Sequence, residues 1–178
     1  MAFTAPVTRA TDFLVTAAIW NAEHVDNFNT GVWRLIAVKS ADQSVVSSTV
    51  LVNDTHLSFT FGANEIWQFD QNLLFSAAVA ADIKLAWTFP SGTLWINAAF
   101  FDTASATKVE AGAGYTTGVT TAFGSIVTPG DNQLVAVRST FVAGGTGGTF
   151  QGQWAQNTSN ATATIMRKGT SYTGMKVA

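Results

Sequence analysis

From about residue 43 onward, apolar and polar residues alternate with a period of two, the mark of strands with one face on a core. Leu57, Phe59 and Phe61 alternate with His56, Ser58 and Thr60. Trp67, Phe69, Leu73 and Phe75 share a face opposed mainly by Gln68, Asp70 and Asn72. Ile83, Leu85, Trp87 and Phe89 alternate with Asp82, Lys84, Ala86 and Thr88, the cleanest strand pattern in the chain, with Trp87 central on its inward face. Further strands are predicted near 45–52, 93–101, 115–123, 133–142, 149–156, 162–168 and 171–177. Turn clusters separate them: Pro90-Ser91-Gly92, Thr128-Pro129-Gly130-Asp131, and a flexible hairpin loop from Gly144 to Gly148. Short strands without intervening helices predict an all-β fold, an antiparallel jelly-roll-like β-sandwich over residues 43–178.

Two strands break the one-face rule. In 93–101, Leu94, Ile96, Ala98 and Phe100 are apolar, and so are Trp95, Ala99 and Phe101 on the other side. In 133–142, Leu134, Ala136 and Val142 oppose Val135, Val137 and Phe141. A strand that is apolar on both sides has both sides covered. The cover is a neighbouring subunit or the N-terminal helix, unless the register is misread. The first reading makes Leu94, Trp95, Phe100, Phe101 and Val142 a subunit interface.

Residues 1–42 follow a different pattern. Met1 to Ala10, with Phe3 and Pro6, reads as an extended arm. Thr16 then caps a helix whose apolar positions Ile19, Ala22, Val25 and Phe28 recur at a spacing of three, and Gly31 suits its C-terminal stop. So short a helix is marginal alone in water and must dock on something. Phe3, Trp20, Val25, Phe28 and Trp33 are the expected docking residues of this arm and helix.

Composition sharpens this picture. Only 11% of the 178 residues are charged, against roughly 25% in an ordinary soluble domain. Yet 47% are hydrophobic, including six Trp and thirteen Phe. Charge depletion with aromatic enrichment resembles the centre of a protein–protein interface; the alternative is one large β core beneath a Thr, Ser, Asn and Gln surface. The net charge of −2 and the scattered Lys and Arg give no basic stripe, so nucleic acid is not an expected partner. Phe13 to Trp20 is too short and lacks the basic flank of a signal peptide, and Leu73 to Ala81 falls short of a membrane span.

Candidate chemistry is sparse. The chain has no Cys, which removes disulfides and thiolate metal sites. Its two histidines, His24 and His56, lie in different segments with no metal-ligand spacing, and solvated roles are expected for both. Glu65 and Asp70 are the nearest approach to a glycosidase pair, but odd and even positions on one strand face opposite ways. The Gly144–Gly148 run lacks the Lys and following helix of a phosphate cradle. Asn53-Asp54-Thr55, Asn157-Thr158-Ser159 and Asn160-Ala161-Thr162 match the glycosylation sequon and read as Asn/Thr turns. Trp154 among Gln151, Gln153, Gln156 and Asn157 is a sugar-stacking candidate, but the alternation of Phe150, Gly152 and Trp154 with the glutamines places it in the core. No catalytic residue, metal or cofactor is expected.

Several segments together resemble small virion structural proteins of tailed bacteriophages. They are Thr16-Ala17-Ala18-Ile19-Trp20-Asn21 with Val25-Asp26-Asn27, then Ala63 to Phe69 (ANEIWQF), Ala81 to Pro90 (ADIKLAWTFP), and Gln153 to Thr158 (QWAQNT). The resemblance covers most of the chain and carries strand signatures without a catalytic fingerprint. It implies a non-enzymatic virion surface protein built on jelly-roll domains. The expected form is a homotrimer that decorates or cements the capsid, or forms a head fibre. Its expected partners are itself and the major capsid protein or another virion protein, with neither nucleic acid nor membrane. The expected location is the virion surface, and the host cytoplasm during assembly. A tail-fibre or receptor- and carbohydrate-binding protein is the competing expectation.

Overall fold

The computed structural model describes residues 34–102, 105–111, 119–123 and 133–178. Among them the strands are β1 (Arg34–Val38), β2 (Gln43–Val45), β3 (Val52–Phe61), β4 (Ile66–Ser76), β5 (Ile83–Thr88) and β6 (Gly92–Asp102). They continue with β7 (Ser105–Ala111), β8 (Val119–Phe123), β9 (Gln133–Ala143), β10 (Gly148–Gln156), β11 (Thr164–Met166) and β12 (Ser171–Lys176). The predicted N-terminal arm and helix lie outside the described residues.

The strands form two antiparallel sheets. The larger runs β1-β12-β4-β9-β6-β7, with β11 beside β4 and β2 beside β11. The smaller runs β3-β10-β5-β8. Four pairings set the topology: β1 with β12, β3 with β10, β4 with β9, and β5 with β8. Each pair nests inside the previous one in sequence, and successive pairs alternate between sheets. That is a two-stranded ribbon wrapped over on itself, the jelly-roll arrangement expected from the strand pattern. The insertion β6–β7 extends the larger sheet beyond β9.

The sandwich also takes in residues ahead of position 43. A bulge between Leu35 and Ala37 breaks the alternation of β1, so a period-two reading passes over it. The glycine run 144–148 is not a hairpin loop, because it carries the chain from β9 in one sheet to β10 in the other. Nor is it loose. Thr146 N–H donates to Ser91 Oγ (3.2 Å), Ser91 Oγ–H donates to Thr146 O (3.0 Å), and a Cβ at Gly148 would meet the Pro90 ring.

Inward residues of the two sheets build one core. Phe69, Leu73, Phe75, Leu94, Ile96, Val135, Val137 and Phe141 face Leu57, Phe59, Ile83, Leu85, Trp87, Phe150 and Trp154, all buried. Phe150 sits at its centre, with the rings of Phe59, Phe141, Phe69 and Phe89 at 5.0, 5.3, 5.4 and 5.8 Å. Stacked and edge-on arrangements both occur there, as ring quadrupoles favour. Trp87 and Trp154 are each 1% exposed, so both are core residues as predicted.

Most polar groups inside this core are paired; among the described residues the buried Thr164 Oγ1 and Arg167 Nε are the exceptions. Trp87 Nε1–H donates to Gln71 Oε1 (2.9 Å), and Gln71 Nε2–H donates to Ser139 Oγ (2.7 Å). Where β1 ends, Lys39 enters the interior and its Nζ donates to Asp54 Oδ2 on β3 (2.8 Å) and to Gln43 Oε1 (3.0 Å). Both side chains of this ion pair are fully shielded from solvent. Asp54 also accepts from Trp154 Nε1–H (3.2 Å) and from the backbone N–H groups of His56 (2.9 Å) and Leu57 (3.2 Å). The pair ties a loop of the larger sheet to a strand of the smaller one.

Candidate functional site

A sandwich has two outer faces, and here they differ in chemistry. On the smaller sheet, Thr55, Ser58, Thr60, Thr149, Gln151, Gln153, Lys84 and Thr88 are exposed or half-buried, a hydrophilic surface. On the larger sheet, Trp95, Leu134 and Val142 are 51%, 51% and 37% exposed. The cause lies in the strand period. On β6 and β9 the residues between the core positions are themselves partly apolar, so the pleat must present them outward.

Register lays this outer face out in rows across β4, β9 and β6. Ile66, Val142 and Thr93 form one row, and Gln68, Thr140 and Trp95 the next. Asp70, Arg138 and Asn97 form the third, followed by Asn72 and Ala136, then Leu74 and Leu134. The central row holds the charges. Arg138 Nε–H donates to Asp70 Oδ1 at 3.3 Å, with the side chains 83% and 40% exposed. Depressions of about 330 and 350 Å³ flank the pair, one reaching Asn72, Asn97 and Ala136, the other Gln68, Ser139 and Thr140.

The predicted interface residues divide. Trp95 and Val142 lie on this outer face. Leu94 does not: it is 0% exposed and packed in the sandwich's own core, because it shares the inward parity of Ile96 and Ala98. Phe100 and Phe101 belong to β6 by backbone, and their side chains lie outside those described. Phe3, Trp20, Val25, Phe28 and Trp33 lie outside the described residues, as does His24.

Other candidates resolve into structural roles. His56 sits between Ser40 Oγ (2.9 Å) and Thr55 Oγ1 (2.8 Å), and no cluster of metal-ligating side chains occurs among the described residues. Glu65 accepts from Gly62 N–H (2.7 Å), Trp67 Nε1–H (3.0 Å) and Lys176 Nζ (3.3 Å). Burial raises its pKa, but these donors outweigh burial and hold the carboxyl below its ordinary value. Asp42 is likewise lowered, by the Lys168 N–H and the Arg167 guanidinium. Asn160 Oδ1 accepts from Thr162 N–H (2.8 Å), the turn chemistry expected of that sequon. Sequence reasoning missed the Asp70–Arg138 pair, although both stand at polar positions of their strands; their pairing depends on the β4–β9 register.

No family model matches the chain, and no curated protein matches it. Among solved structures it is similar to that of the infectious bursal disease virus Gt strain, at 12% identity and a TM-score of 0.21, over 83% of this chain and 43% of the other. It is also similar to the infectious bursal disease virus VP2 subviral particle, at 11% identity and a TM-score of 0.22, over 82% of this chain and 40% of the other. The chain thus spans less than half the length of each of these structures.

Proposed function

We propose that this chain is a non-enzymatic structural protein of a tailed-phage virion, a homotrimer that decorates or cements the capsid or forms a head fibre. The observation that carries the reading is the outer face of the larger sheet, where Trp95, Leu134 and Val142 are exposed on a chain with 11% charged residues. In this proposal the adjacent Trp95 and Val142, with Leu134 three rows beyond Trp95, serve as an interaction surface. Sequence supports the phage assignment through the resemblance of its strand signatures. The carboxylates add to the non-catalytic reading: Asp42, Asp54, Glu65 and Asp70 are each matched to a base, Arg167, Lys39, Lys176 and Arg138. In this proposal the sandwich is the body and residues 1–33 attach it to the major capsid protein or another virion protein. Lattice binding then needs only buried apolar area at about 25 cal/mol per Å², less the ordering costs, and a threefold repeat multiplies weak contacts.

One observation favours a receptor- or carbohydrate-binding fibre instead: Trp95 stands one row from Asn97 and Asp70, as a sugar-stacking platform would. Copy number in purified virions, measured by gel densitometry, tests the proposal. Abundance comparable with the major capsid protein is expected for decoration and a small minority for a fibre; absence from the particle overturns the reading. Deleting residues 1–33 is expected to leave a β-rich, cooperatively melting protein that no longer binds particles. Unimpaired decoration by that truncated protein would place the docking surface on the sandwich.

A further inference from the structure

We infer that the outer face of β4, β9 and β6 is closed by a second copy of this chain, with Arg138 of one copy paired to Asp70 of the next. The inference rests on the self-assembling reading above and adds to it which surface makes the contact and through which residues. The charge on the face is the first argument. Among the described residues of β12, β4, β9 and β6, the outward-pointing charges are Asp70 and Arg138, adjacent and opposite in sign. A face built for a basic or acidic partner would carry net charge of the other sign. This one carries none and offers both halves of an ion pair, so a symmetry-related copy supplies the complement to each.

The geometry of the pair is the second argument. Arg138 meets Asp70 through Nε alone at 3.3 Å, and its side chain is 83% exposed. A guanidinium fork binds a carboxylate best with two parallel N–H donors, and most of this fork is open to a carboxylate from outside. Trp95 and Arg138 are also the residue types that dominate interface energetics, and here they occupy neighbouring rows.

Size is the third. Strands β4, β6 and β9 have 11 residues each. At about 3.3 Å per residue and about 4.8 Å between strands, they give on the order of 500 Å² of flat area before side-chain relief. A standard interface takes about 800 Å² from each partner, so this face is large enough to form most of one.

The test is a charge exchange in the full chain, read by light scattering coupled to size-exclusion chromatography, with circular dichroism confirming the fold. Arg138→Asp and Asp70→Arg are each expected to stay folded and to weaken self-association at least tenfold. The double exchange Asp70→Arg with Arg138→Asp is expected to restore the wild-type mass. Trp95→Ser is expected to dissociate the oligomer without unfolding it. If the wild type is an oligomer and every variant keeps its mass, this inference is overturned while self-assembly stands, its contact lying elsewhere. If the wild type is a monomer at all concentrations, both fail. Folded variants of unchanged mass that lose binding to a glycan array or to particles would give the face to a different partner and overturn the inference.

Discussion

The buried ion pair offers the sharpest test of the fold. Lys39→Met keeps a stem of similar length and removes the ammonium, leaving the Asp54 carboxylate inside without its cation. Breaking a buried pair from one side costs about 3–5 kcal/mol, because a charge is stranded in a poorly solvating interior. Three donors to Asp54 survive the change, the N–H groups of His56 and Leu57 and the Trp154 indole. They place the expected loss near the lower end, at about 3 kcal/mol. With a urea dependence of roughly 2 kcal/mol per molar, that moves the midpoint down by about 1.5 M. Asp54→Asn retains an acceptor for the two backbone N–H groups but turns an amide NH₂ toward Lys39 and Trp154, setting donor against donor. A loss at least as large is expected.

The double variant removes the stranded charge altogether, so its loss should fall short of the sum by about 2 kcal/mol or more, as for residues in one network. The measurement is urea unfolding followed by tryptophan emission, at one fixed protein concentration because assembly shifts apparent stability. A Lys39→Met loss under about 1 kcal/mol, or additivity within about 0.5 kcal/mol, would refute the buried pair.

Trp87→Ala should cost about 3–5 kcal/mol through lost burial and a cavity, and it also strands the Gln71 carbonyl; a denaturant-midpoint change below about 1 kcal/mol would show that the inward face is misassigned. Gly174→Ala should prevent normal pairing of β12 with β4, since a Cβ there meets the Gln68 carbonyl oxygen and Phe69 Cα; an unchanged melting temperature would contradict that close approach. Glu65 and Asp42 both have lowered pKa values in the folded protein, so the unfolded chain binds more protons in acid. Stability from these groups is complete above their ordinary carboxyl values, near pH 4–4.5, and is lost as pH falls through the folded values. Glu65→Gln should flatten the acid limb of a melting-temperature profile, and an unaltered limb would remove Glu65 from the account. Leu94→Ala should cost about 2–5 kcal/mol of sandwich stability. Its neighbour Trp95→Ser, measured on dissociated protein, should stay within about 0.5 kcal/mol; equal losses would put both on the core side.

Where a strand is regular and half-buried, the pattern alone placed it well. Ile83, Leu85 and Trp87 on β5 and Phe69, Leu73 and Phe75 on β4 point inward as alternation requires. The jelly-roll class followed from strand number and turn chemistry, but the nesting of pairs is a long-range property that local pattern does not carry. β1 is not legible as a period-two strand because its bulge disrupts the alternation, and β7, with Thr107, Lys108 and Glu110, has no clean apolar face. Sequence does not separate Leu94 from Trp95, because composition tells only that both faces of β6 are apolar; pairing with β9 decides which face is inside. Lys39 gave no signal at all. A lone lysine ending a run of apolar residues reads as a solvated terminus, and only the fold brings it to Asp54.

The two-sided strands have a physical consequence beyond packing. Adjacent residues on β6 and β9 answer to different free energies, since Leu94 and Phe141 gain by leaving water when the chain folds. Trp95 and Val142 keep 51% and 37% of their surface in water until something covers them. The part still exposed adds nothing to the stability of one sandwich, while it promotes association with whatever surface matches. A polar pair in the middle of that area restrains the association to matching partners, since burying Asp70 or Arg138 against an unmatched surface would strand a charge. Apolar rows supply the attraction and the central row the selectivity. A face with the first and not the second would aggregate, and one with the second alone would bind nothing firmly.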